Sequence, residues 1–389
     1  MANKSLFSKY ALIGDNLHLK QNVNLEIDHT GKIMDISYED VAKDLEILPN
    51  YQNFLLIPGF INAHVHIGDS FAKELGFNKE ISEIVAPPFG LKHKLLRQIP
   101  ENIKIKGIQN AVLEMLSNGI TFFIDFREGG IEGVNLLKKA LTDNSINSLI
   151  LGRFMDESEI ESIFDLADGV GLSSYKQINS TNKKLIVSAK YKFKKIVACH
   201  CAEKTRNINL INEMFNDNFI DVIIHGTKFV SKDLEKIIKN NKSLVLCPRC
   251  NGYFGLGFPP ISEILRLKIP ISLGTDNLMV NNTDLFEEIR YFYRISRVLC
   301  SYDEELKFTS KDLLKMVTIN AAKSFNLENE FGSISKGKFA DFFLINLYDP
   351  NLFSYKLNSN NILDLITQRT KSENIKKTYI KGELVFERN

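Results

Sequence analysis

The chain has 389 residues, of which 44% are hydrophobic and 25% are charged, and its formal net charge is +2. These values are typical of a globular protein, and the nearly balanced charge argues against binding to nucleic acid or to anionic membranes. No apolar run is long enough to span a bilayer, and the N-terminal stretch lacks the apolar core of a secretory signal. The five cysteines do not form a regular disulfide framework, so we expect reduced thiols and a cytoplasmic location.

The two ends of the chain have the pattern of β-structure. Residues 1–55 include YALIGDNLHLKQNVNLEIDHTGKIMDISYE, in which short alternating segments are separated by turn signals at GDN and DHTGK. Residues 333–389 include the strand-like segments GKFADFFLINL and KKTYIKGELVFER. We therefore expect both termini to build one small β-sandwich module.

Between these ends, residues 56–332 alternate short apolar runs with longer amphipathic segments. The apolar runs are, in chain order, GFINAHVHI, GITFFIDF, SLILGRF, DGVGLSS, KIVACHCAE, DVIIHG, SLVLCP and PISLGTD. Eight strand–helix units with nearly continuous apolar strands predict a closed (β/α)8 barrel of the TIM type, in the α/β class. The alternative is a doubly wound open sheet, which is disfavoured because no GxGxxG turn follows the first strand.

The catalytic residues of a TIM-type barrel gather where its strands end, at the carboxyl edge. The first run contains His64 and His66, which lie two residues apart and so point to the same side of the strand. The fifth run contains His200, the sixth His225 and the eighth Asp276. A single histidine at a strand end is usually a hydrogen-bonded structural residue, but this alternative requires four separate coincidences. Imidazole nitrogens together with a carboxylate suit Zn²⁺ or Fe²⁺, so we predict a metal site at this edge.

Several motifs of the chain resemble those of the amidohydrolase superfamily. They are PGFINAHVH, HCAE, HG, LGTDN and the late stretch LLKMVTINAAKSFNLENEFGSISKGKFADFFLINL. The closer resemblance is to the branch that contains cytosine and guanine deaminases, S-adenosylhomocysteine and methylthioadenosine deaminases, and triazine chlorohydrolases. It extends over nearly the whole chain, and the HxH motif after the first strand and the TDN motif after the eighth are specific in combination.

The resemblance implies a set of metal ligands and catalytic groups. One divalent metal ion, Zn²⁺ or alternatively Fe²⁺, is expected to be held by His64, His66, His200 and Asp276. Glu203 is implied to carry a proton from the metal-bound water to the ring nitrogen and the leaving group, and His225 to hydrogen-bond the attacking hydroxide. Glu203, His225 and Asp276 are thus the expected catalytic residues. Since no lysine ends the fourth strand (Lys176 comes only after it), a second, lysine-bridged ion is not expected.

The implied roles agree with the chemistry of breaking an aromatic carbon–nitrogen bond. Coordination to a metal lowers the pKa of water from about 15.7 towards 7, which supplies a strong nucleophile at neutral pH. Attack at the ring carbon places charge on the ring nitrogen, and a positioned acid such as Glu203 can neutralise that charge. The alternative for Glu203 is a solvated carboxylate at the start of a helix.

Further polar residues lie where substrate contacts belong in such a barrel. They are Asp69, Arg127, Glu128, Arg153 and Ser173. A guanidinium can bind a carboxylate or phosphate in bidentate fashion, so arginines that face the ligand would imply an anionic substrate. The equal alternative is an internal salt bridge between Arg127 and Glu128 or Asp69. Residues 69–93 are long for a barrel loop and are expected either to cover the site or to pack on the barrel rim.

Two departures from the pattern of the branch affect the substrate and the cysteines. Purine deaminases of the branch often carry a histidine in the fourth-strand loop, where this chain has Ser173 and Ser174, and this puts an adenosine-type substrate in doubt. The seventh strand is followed by Cys250 where relatives tend to have a serine. We expect Cys247 and Cys250 to be buried, unligated thiols rather than a redox or zinc pair, and the two cysteines beside His200 to point away from it.

The sequence therefore predicts a metal-dependent hydrolase acting on carbon–nitrogen bonds other than peptide bonds. The leading hypothesis is deamination of a heterocyclic amine (a purine, pyrimidine or pterin-like ring) by a metal-bound hydroxide, with release of ammonia. The main alternative is the same machinery acting on a cyclic amide or on a chloro or amino substituent of a triazine-like ring. Hypotheses from other classes are a non-catalytic scaffold barrel and a redox or zinc-ribbon protein. The expected partner is a small-molecule substrate, and self-association into a homo-oligomer is left open.

Overall fold

Residues 4–41, 44–47 and 53–388 are described in the computed structural model of the chain. The strands of this described part, in chain order, are β1 Lys4–Ile13, β2 His18–Ile27, β3 Ile33–Asp40, β4 Phe54–Pro58, β5 Phe60–His66, β6 Ile120–Arg127, β7 Asn147–Gly152, β8 Gly169–Leu172, β9 Ile196–Cys201, β10 Val222–His225, β11 Ser243–Leu246, β12 Ile271–Leu273, β13 Asp276–Asn277, β14 Phe342–Asn346, β15 Ile375–Ile380 and β16 Glu383–Glu387.

The helices of the same part alternate with the middle strands. They are α1 Ile81–Ile84, α2 Leu91–Gln98, α3 Glu101–Ser117, α4 Gly130–Leu141, α5 Ile160–Leu166, α6 Ser180–Phe193, α7 Ile208–Asp217, α8 Ser231–Lys239, α9 Pro248–Tyr253, α10 Ile261–Arg266, α11 Leu285–Leu299, α12 Ser310–Met316, α13 Ile319–Ser324 and α14 Ile362–Arg369. None of these described helices combines the length and the apolar character that crossing a membrane requires.

A closed barrel of parallel strands occupies the middle of the chain. Its sheet has the order β12, β11, β10, β9, β8, β7, β6, β5 and β13, and each pairing in it is parallel. The two ends of this order are separated only by Gly274 and Thr275, so β12 and β13 are one strand that pairs first with β11 and then with β5. Eight strands therefore close into a ring, each followed by at least one helix, and the predicted (β/α)8 barrel is confirmed.

Polar side chains hold the seam between the eighth strand and the first. Asn62 Nδ2 donates to Thr275 Oγ1 at 2.8 Å, and Asn62 Oδ1 accepts from the Thr275 backbone N–H at 3.1 Å. Gly274 lies against the same strand, where a Cβ would stand 2.6 Å from the backbone N and O of His64. A side chain at position 274 would therefore push away the strand that carries the first two histidines.

A bulge in β5 sets the direction in which its histidines point. Ile61 packs inside the barrel, whereas Val65 packs outside against the helices. Between these two residues the pairing with β6 has one residue more on the β5 side. Strict alternation from Ile61 would turn His64 and His66 outward, and the extra residue turns both inward.

The two ends of the chain share one sheet of seven strands, in the order β16, β15, β14, β4, β1, β2 and β3. The sheet folds back on itself, because the turn after β2 meets the turn after β15, where a Cβ on Gly31 would stand 2.4 Å from the Cβ of Lys381. Apolar side chains of both halves, such as Leu25 and Phe342, are buried in one common core. The module predicted from both termini is therefore confirmed, and β4 leads directly from it into β5.

Candidate active site

The residues predicted to bind metal lie together at the carboxyl edge of the barrel. They are His64 and His66 of β5, His200 of β9 and Asp276 of β13, and one ligand atom from each lies within 4.8 Å of the others. His64 Nε2 is 3.3 Å from Asp276 Oδ1 and 3.2 Å from His200 Nε2. His66 Nε2 is 3.5 Å from the same oxygen of Asp276. The structure thus brings the four predicted ligands to one point.

The second ring nitrogens of two of these histidines are held by hydrogen bonds. His66 Nδ1 donates to the Phe126 carbonyl at 3.0 Å and lies 2.7 Å from Glu128 Oε1. His200 Nδ1 donates to the Leu172 carbonyl at 2.9 Å. Because Nδ1 carries the proton in both rings, their Nε2 lone pairs face the common point.

Burial and hydrogen bonding give the cluster the protonation states that metal binding needs. Burial lowers the pKa of His64 to about 3 and also lowers the pKa values of His66 and His200, so the rings are neutral at neutral pH. Burial opposes ionisation of Asp276, but the hydrogen bond with His64 and the charges of the neighbouring imidazoles together outweigh it and hold the pKa of Asp276 well below its usual value. Three neutral imidazoles and one carboxylate are a donor set that fits a divalent metal ion.

Two residues of the site have left-handed backbone conformations. The angle φ is +73° at His225 and +62° at Asp276. Such conformations cost about 1–3 kcal/mol at residues other than glycine and concentrate at functional sites. Both residues lie at the carboxyl edge of the barrel, where this bend of the backbone turns their side chains towards the ligand cluster.

Glu203 and His225 lie beside the four ligands. His225 Nε2 is 3.6 Å from Glu203 Oε1 and 3.9 Å from Asp276 Oδ2. The imidazole of His225 is buried, and neither of its nitrogens has a hydrogen-bond partner in the described part of the chain. Burial raises the pKa of Glu203, so this carboxyl holds a proton more readily than it would in water. The two side chains can therefore hold and transfer protons next to the ligand cluster.

A cavity of about 240 Å³ opens in front of these groups. Its floor is formed by the polar residues His66, His200, Glu203, His225 and Asp276. One wall comes from the segment after β5, which contributes the apolar side chains Ile81, Val85 and Pro87 and the polar side chains Lys92 and His93. Residues 81–93 of the segment expected to cover the site thus form one side of the cavity.

Three of the five residues predicted to contact substrate line this cavity, namely Glu128, Arg153 and Ser173. Arg153 directly follows β7, and its Nε has no hydrogen-bond partner in the described part. Ser173 directly follows β8 and donates its hydroxyl proton to Gln177 Oε1 at 2.6 Å. Glu128 Oε2 is 2.8 Å from Nη2 of Arg127, so this carboxylate is already paired.

Asp69 and Arg127 are not among the described residues that line the cavity, so their assignment as substrate contacts stays a prediction. Arg127 is buried, and its Nη1 lies 3.6 Å from Asp125 Oδ2. Asp69 accepts from the Met279 backbone N–H at 3.0 Å and lies 3.4 Å from Lys92 Nζ. Both side chains lie behind the cavity wall, because buried groups of opposite charge pair with them there.

Lys92 is a site residue that the sequence patterns do not reveal. It belongs to α2, and its Nζ lies 2.5 Å from Glu128 Oε1 and 2.8 Å from Asn277 Oδ1. The residue is only 3% exposed, whereas Lys94 on the same helix is exposed. The sequence LKHKLLRQ does not distinguish the two lysines, and the one available signal is the unusual length of the segment between β5 and β6.

All five cysteines are buried, and none is part of a disulfide. The two that flank His200 pack outside the barrel among the helices, as alternation along β9 predicts. Cys247 and Cys250 lie inside the barrel. The sulfur of Cys247 is within 4.8 Å of a nitrogen of His225 and an oxygen of Asp276, which the sequence did not predict.

The sequence is similar to those of known hydrolases. Residues 55–385 match the model of the Amidohydrolase family. A putative aminohydrolase of Methanothermobacter thermautotrophicus is 32% identical over 385 residues, which cover 94% of this chain and 94% of that protein. A 5-methylthioadenosine/S-adenosylhomocysteine deaminase of Caldicellulosiruptor saccharolyticus is 25% identical over 96% of this chain and 90% of that protein.

The fold is also similar to that of solved structures. An adenosine deaminase from Xanthomonas campestris with bound zinc has a TM-score of 0.80 and 14% identity, over 98% of this chain and 92% of that chain. At this level of identity the similarity shows the shared fold. Because the family model matches most of the sequence, the chain belongs to the amidohydrolase family and is a hydrolase acting on carbon–nitrogen bonds other than peptide bonds.

Proposed function

We propose that the enzyme deaminates a heterocyclic amine, such as a purine, pyrimidine or pterin-like ring, and releases ammonia. The observation that carries this proposal is the convergence of the four predicted metal ligands on one point, with Glu203 and His225 beside them in the same cavity. The similarity to the deaminase from C. saccharolyticus, which extends over nearly the whole chain, supports a carbon–nitrogen bond of an amine as the bond that the enzyme breaks.

One divalent ion, held by the three histidines and Asp276, would complete this site, with Zn²⁺ as the first choice and Fe²⁺ as the alternative. When bound, such an ion lowers the pKa of water and so supplies a nucleophile at neutral pH. One ion suffices for this chemistry. The lysine that would bridge a second ion is absent from the end of β8, where Leu172 is followed by Ser173.

Glu203 moves the protons in this proposal. Its pKa is raised by burial, so it can take a proton from the attacking water and pass it to the ring nitrogen and then to the departing amino group. In the net reaction the ring carbon gains the hydroxyl group of water, the carbon–nitrogen bond breaks, and the departing nitrogen gains a hydrogen and leaves as ammonia.

His225 and Asp276 orient the water that attacks. The imidazole of His225 has two buried nitrogens without a partner in the described part, and one of them can hold this water by a hydrogen bond. Asp276 Oδ2 lies 3.9 Å from His225 Nε2, a separation that a water molecule can bridge. The two side chains thus fix the direction from which the water approaches the ring.

Arg153 gives the site a preference for a substrate with an anionic group. Its guanidinium lines the cavity, and its Nε is buried without a partner in the described part. A carboxylate or phosphate on the substrate would supply that partner. The apolar side chains of Ile81, Val85 and Pro87, which line the same cavity, suit the flat face of a ring, and Ser173 offers a further polar contact. We place the enzyme in the cytoplasm, which agrees with its five free thiols.

A screen for ammonia release tests this function. Protein loaded with one metal ion per chain is incubated with aminopurines, aminopyrimidines, aminopterins and aminotriazines, each with and without an anionic substituent. We expect release from at least one ring, with the anionic form preferred. No release from any ring would contradict deamination, and chloride release from a chlorotriazine or hydrolysis of a cyclic amide would support the alternative reaction instead.

A further inference from the structure

We propose that a second, thiol-containing cation site lies beside the predicted metal site, and that a thiophilic divalent ion bound there inhibits the enzyme. The site consists of His225, Cys247 and Asp276. One nitrogen, the sulfur and one carboxylate oxygen of these residues lie within 4.8 Å of one another. All three residues are buried, with exposed fractions of 1%, 0% and 2% respectively.

The state of His225 supports this site independently of the distances. Neither ring nitrogen of this buried imidazole has a hydrogen-bond partner in the described part of the chain. A buried polar atom without a partner is destabilising, so such atoms are rare unless a ligand or water satisfies them. A cation between His225 and Cys247 supplies a partner of the kind that an imidazole nitrogen binds well.

The two oxygens of Asp276 allow it to serve both sites. Its Oδ1 faces the first site, 3.3 Å from His64 Nε2 and 3.5 Å from His66 Nε2. Its Oδ2 faces the other way, 3.9 Å from His225 Nε2. One carboxylate can therefore bridge the two cations, in the absence of the lysine that would otherwise join them.

Cys247 determines which cations this second site prefers. It directly follows β11 and precedes α9, and its side chain belongs to the cluster inside the barrel. A set of one thiolate, one imidazole and one carboxylate favours Zn²⁺, Co²⁺ and similar ions over Mg²⁺ and Ca²⁺. The thiol binds as the thiolate, so its proton passes to the solvent when the cation binds.

The inhibitory effect, unlike the site itself, rests on the proposed function. A cation on His225 takes the nitrogen that would otherwise hold the attacking water. Binding at the second site therefore prevents His225 from orienting the attacking water, without displacing the first ion.

Addition of Co²⁺ to protein already loaded with one Zn²⁺ per chain tests this site. We expect one Co²⁺ to bind per chain, with a near-ultraviolet charge-transfer band from sulfur to cobalt, release of one proton and loss of ammonia release. In Cys247→Ser and Cys247→Ala the band should disappear, and Co²⁺ binding should weaken by at least about 100-fold. Loss of a group that only supports a ligand lowers metal affinity by up to about 100-fold, and loss of the ligand itself should lower it at least as much. The Zn²⁺ content of both variants should stay at one per chain, which shows that the fold and the first site are intact.

Cys300→Ser is the matched control, because Cys300 is also a buried free thiol but is not part of either ligand group. It should keep the cobalt band. A second Co²⁺ that binds without the sulfur band, or a band that persists in both Cys247 variants, would overturn the second site. If the band behaves as expected but no ring yields ammonia, the second site stands and the proposed function fails. If ammonia is released but no sulfur band appears, the proposed function stands and the second site fails.

Discussion

Glu203 Oε1 lies 3.6 Å from Nε2 of His225, and both groups face the cavity that the predicted metal ligands His66, His200 and Asp276 also line. This distance is too long for a direct hydrogen bond, so an atom of water or substrate can contact both side chains at once. In the proposed reaction, the pair therefore leaves open the position where a proton is exchanged between the attacking water and the ring.

Replacement of Glu203 by glutamine should separate proton transfer from metal binding. Glu203→Gln keeps the size of the side chain but cannot carry a proton, so we expect kcat for ammonia release to fall by about 100- to 10,000-fold. The metal content should not change. Glu213→Gln, at an exposed position of α7, is the matched control and should behave like the wild type. Wild-type activity in Glu203→Gln would remove this residue as the proton carrier.

Replacement of Arg153 should change the choice between anionic and neutral substrates. A hydrogen bond to a charged group contributes about 1.5–3 kcal/mol, so Arg153→Gln should raise KM for an anionic substrate by about 10- to 100-fold. The KM for a neutral ring should change little. Arg266→Gln, at an exposed arginine of α10, serves as the control. A parallel rise of KM for neutral and anionic rings would contradict the contact with an anionic group.

Removal of Lys92 should destabilise the fold. Its Nζ is 2.5 Å from Glu128 Oε1 and 3.4 Å from Asp69 Oδ2, and all three groups are buried. Breaking a buried ion pair from one side costs about 3–5 kcal/mol, so Lys92→Met should lower the free energy of unfolding in urea by about that amount. Lys92→Met and Glu128→Gln break the same ion pair. Glu128→Gln should therefore lower the free energy of unfolding less when it is added to Lys92→Met than when it is made in the wild type.

The exposed Lys94 on the same helix provides the comparison for this measurement. Lys94→Met should change the free energy of unfolding by no more than about 0.5 kcal/mol. Equal stability of the Lys92 and Lys94 variants would show that the ion pairs of Lys92 do not support the segment that forms the cavity wall.

The histidines of β5 show how far the sequence can predict this site. Their spacing correctly placed His64 and His66 on one side of the strand, and the order of the apolar runs placed them at the same edge as His200 and Asp276. The spacing could not predict which side faces inward, because that depends on the bulge between Asn62 and Val65. A bulge depends on how a strand pairs with the next strand, and the residue types alone do not predict it.

Arg127 and Lys92 show what the sequence could not decide. Both are basic residues near the carboxyl edge of the barrel, yet Arg127 is held behind the cavity wall by buried carboxylates, whereas Lys92 reaches the cavity from a separate helix. Two partners of Lys92 are distant from it along the chain: Glu128 lies 36 residues away and Asn277 lies 185 residues away. Contacts of this kind arise from tertiary packing and have no local pattern.

The metal content of the variant His64→Ala/His66→Ala tests the central claim most directly. The matched control is His18→Ala/His29→Ala, which removes two exposed histidines, one in β2 and one in the turn after it. We expect about one zinc or iron ion per chain in the wild type and in the control, and almost none in the His64/His66 variant, since two of four ligands are lost. Circular dichroism should show that both variants are folded. A full complement of metal in His64→Ala/His66→Ala would contradict the assignment of this site.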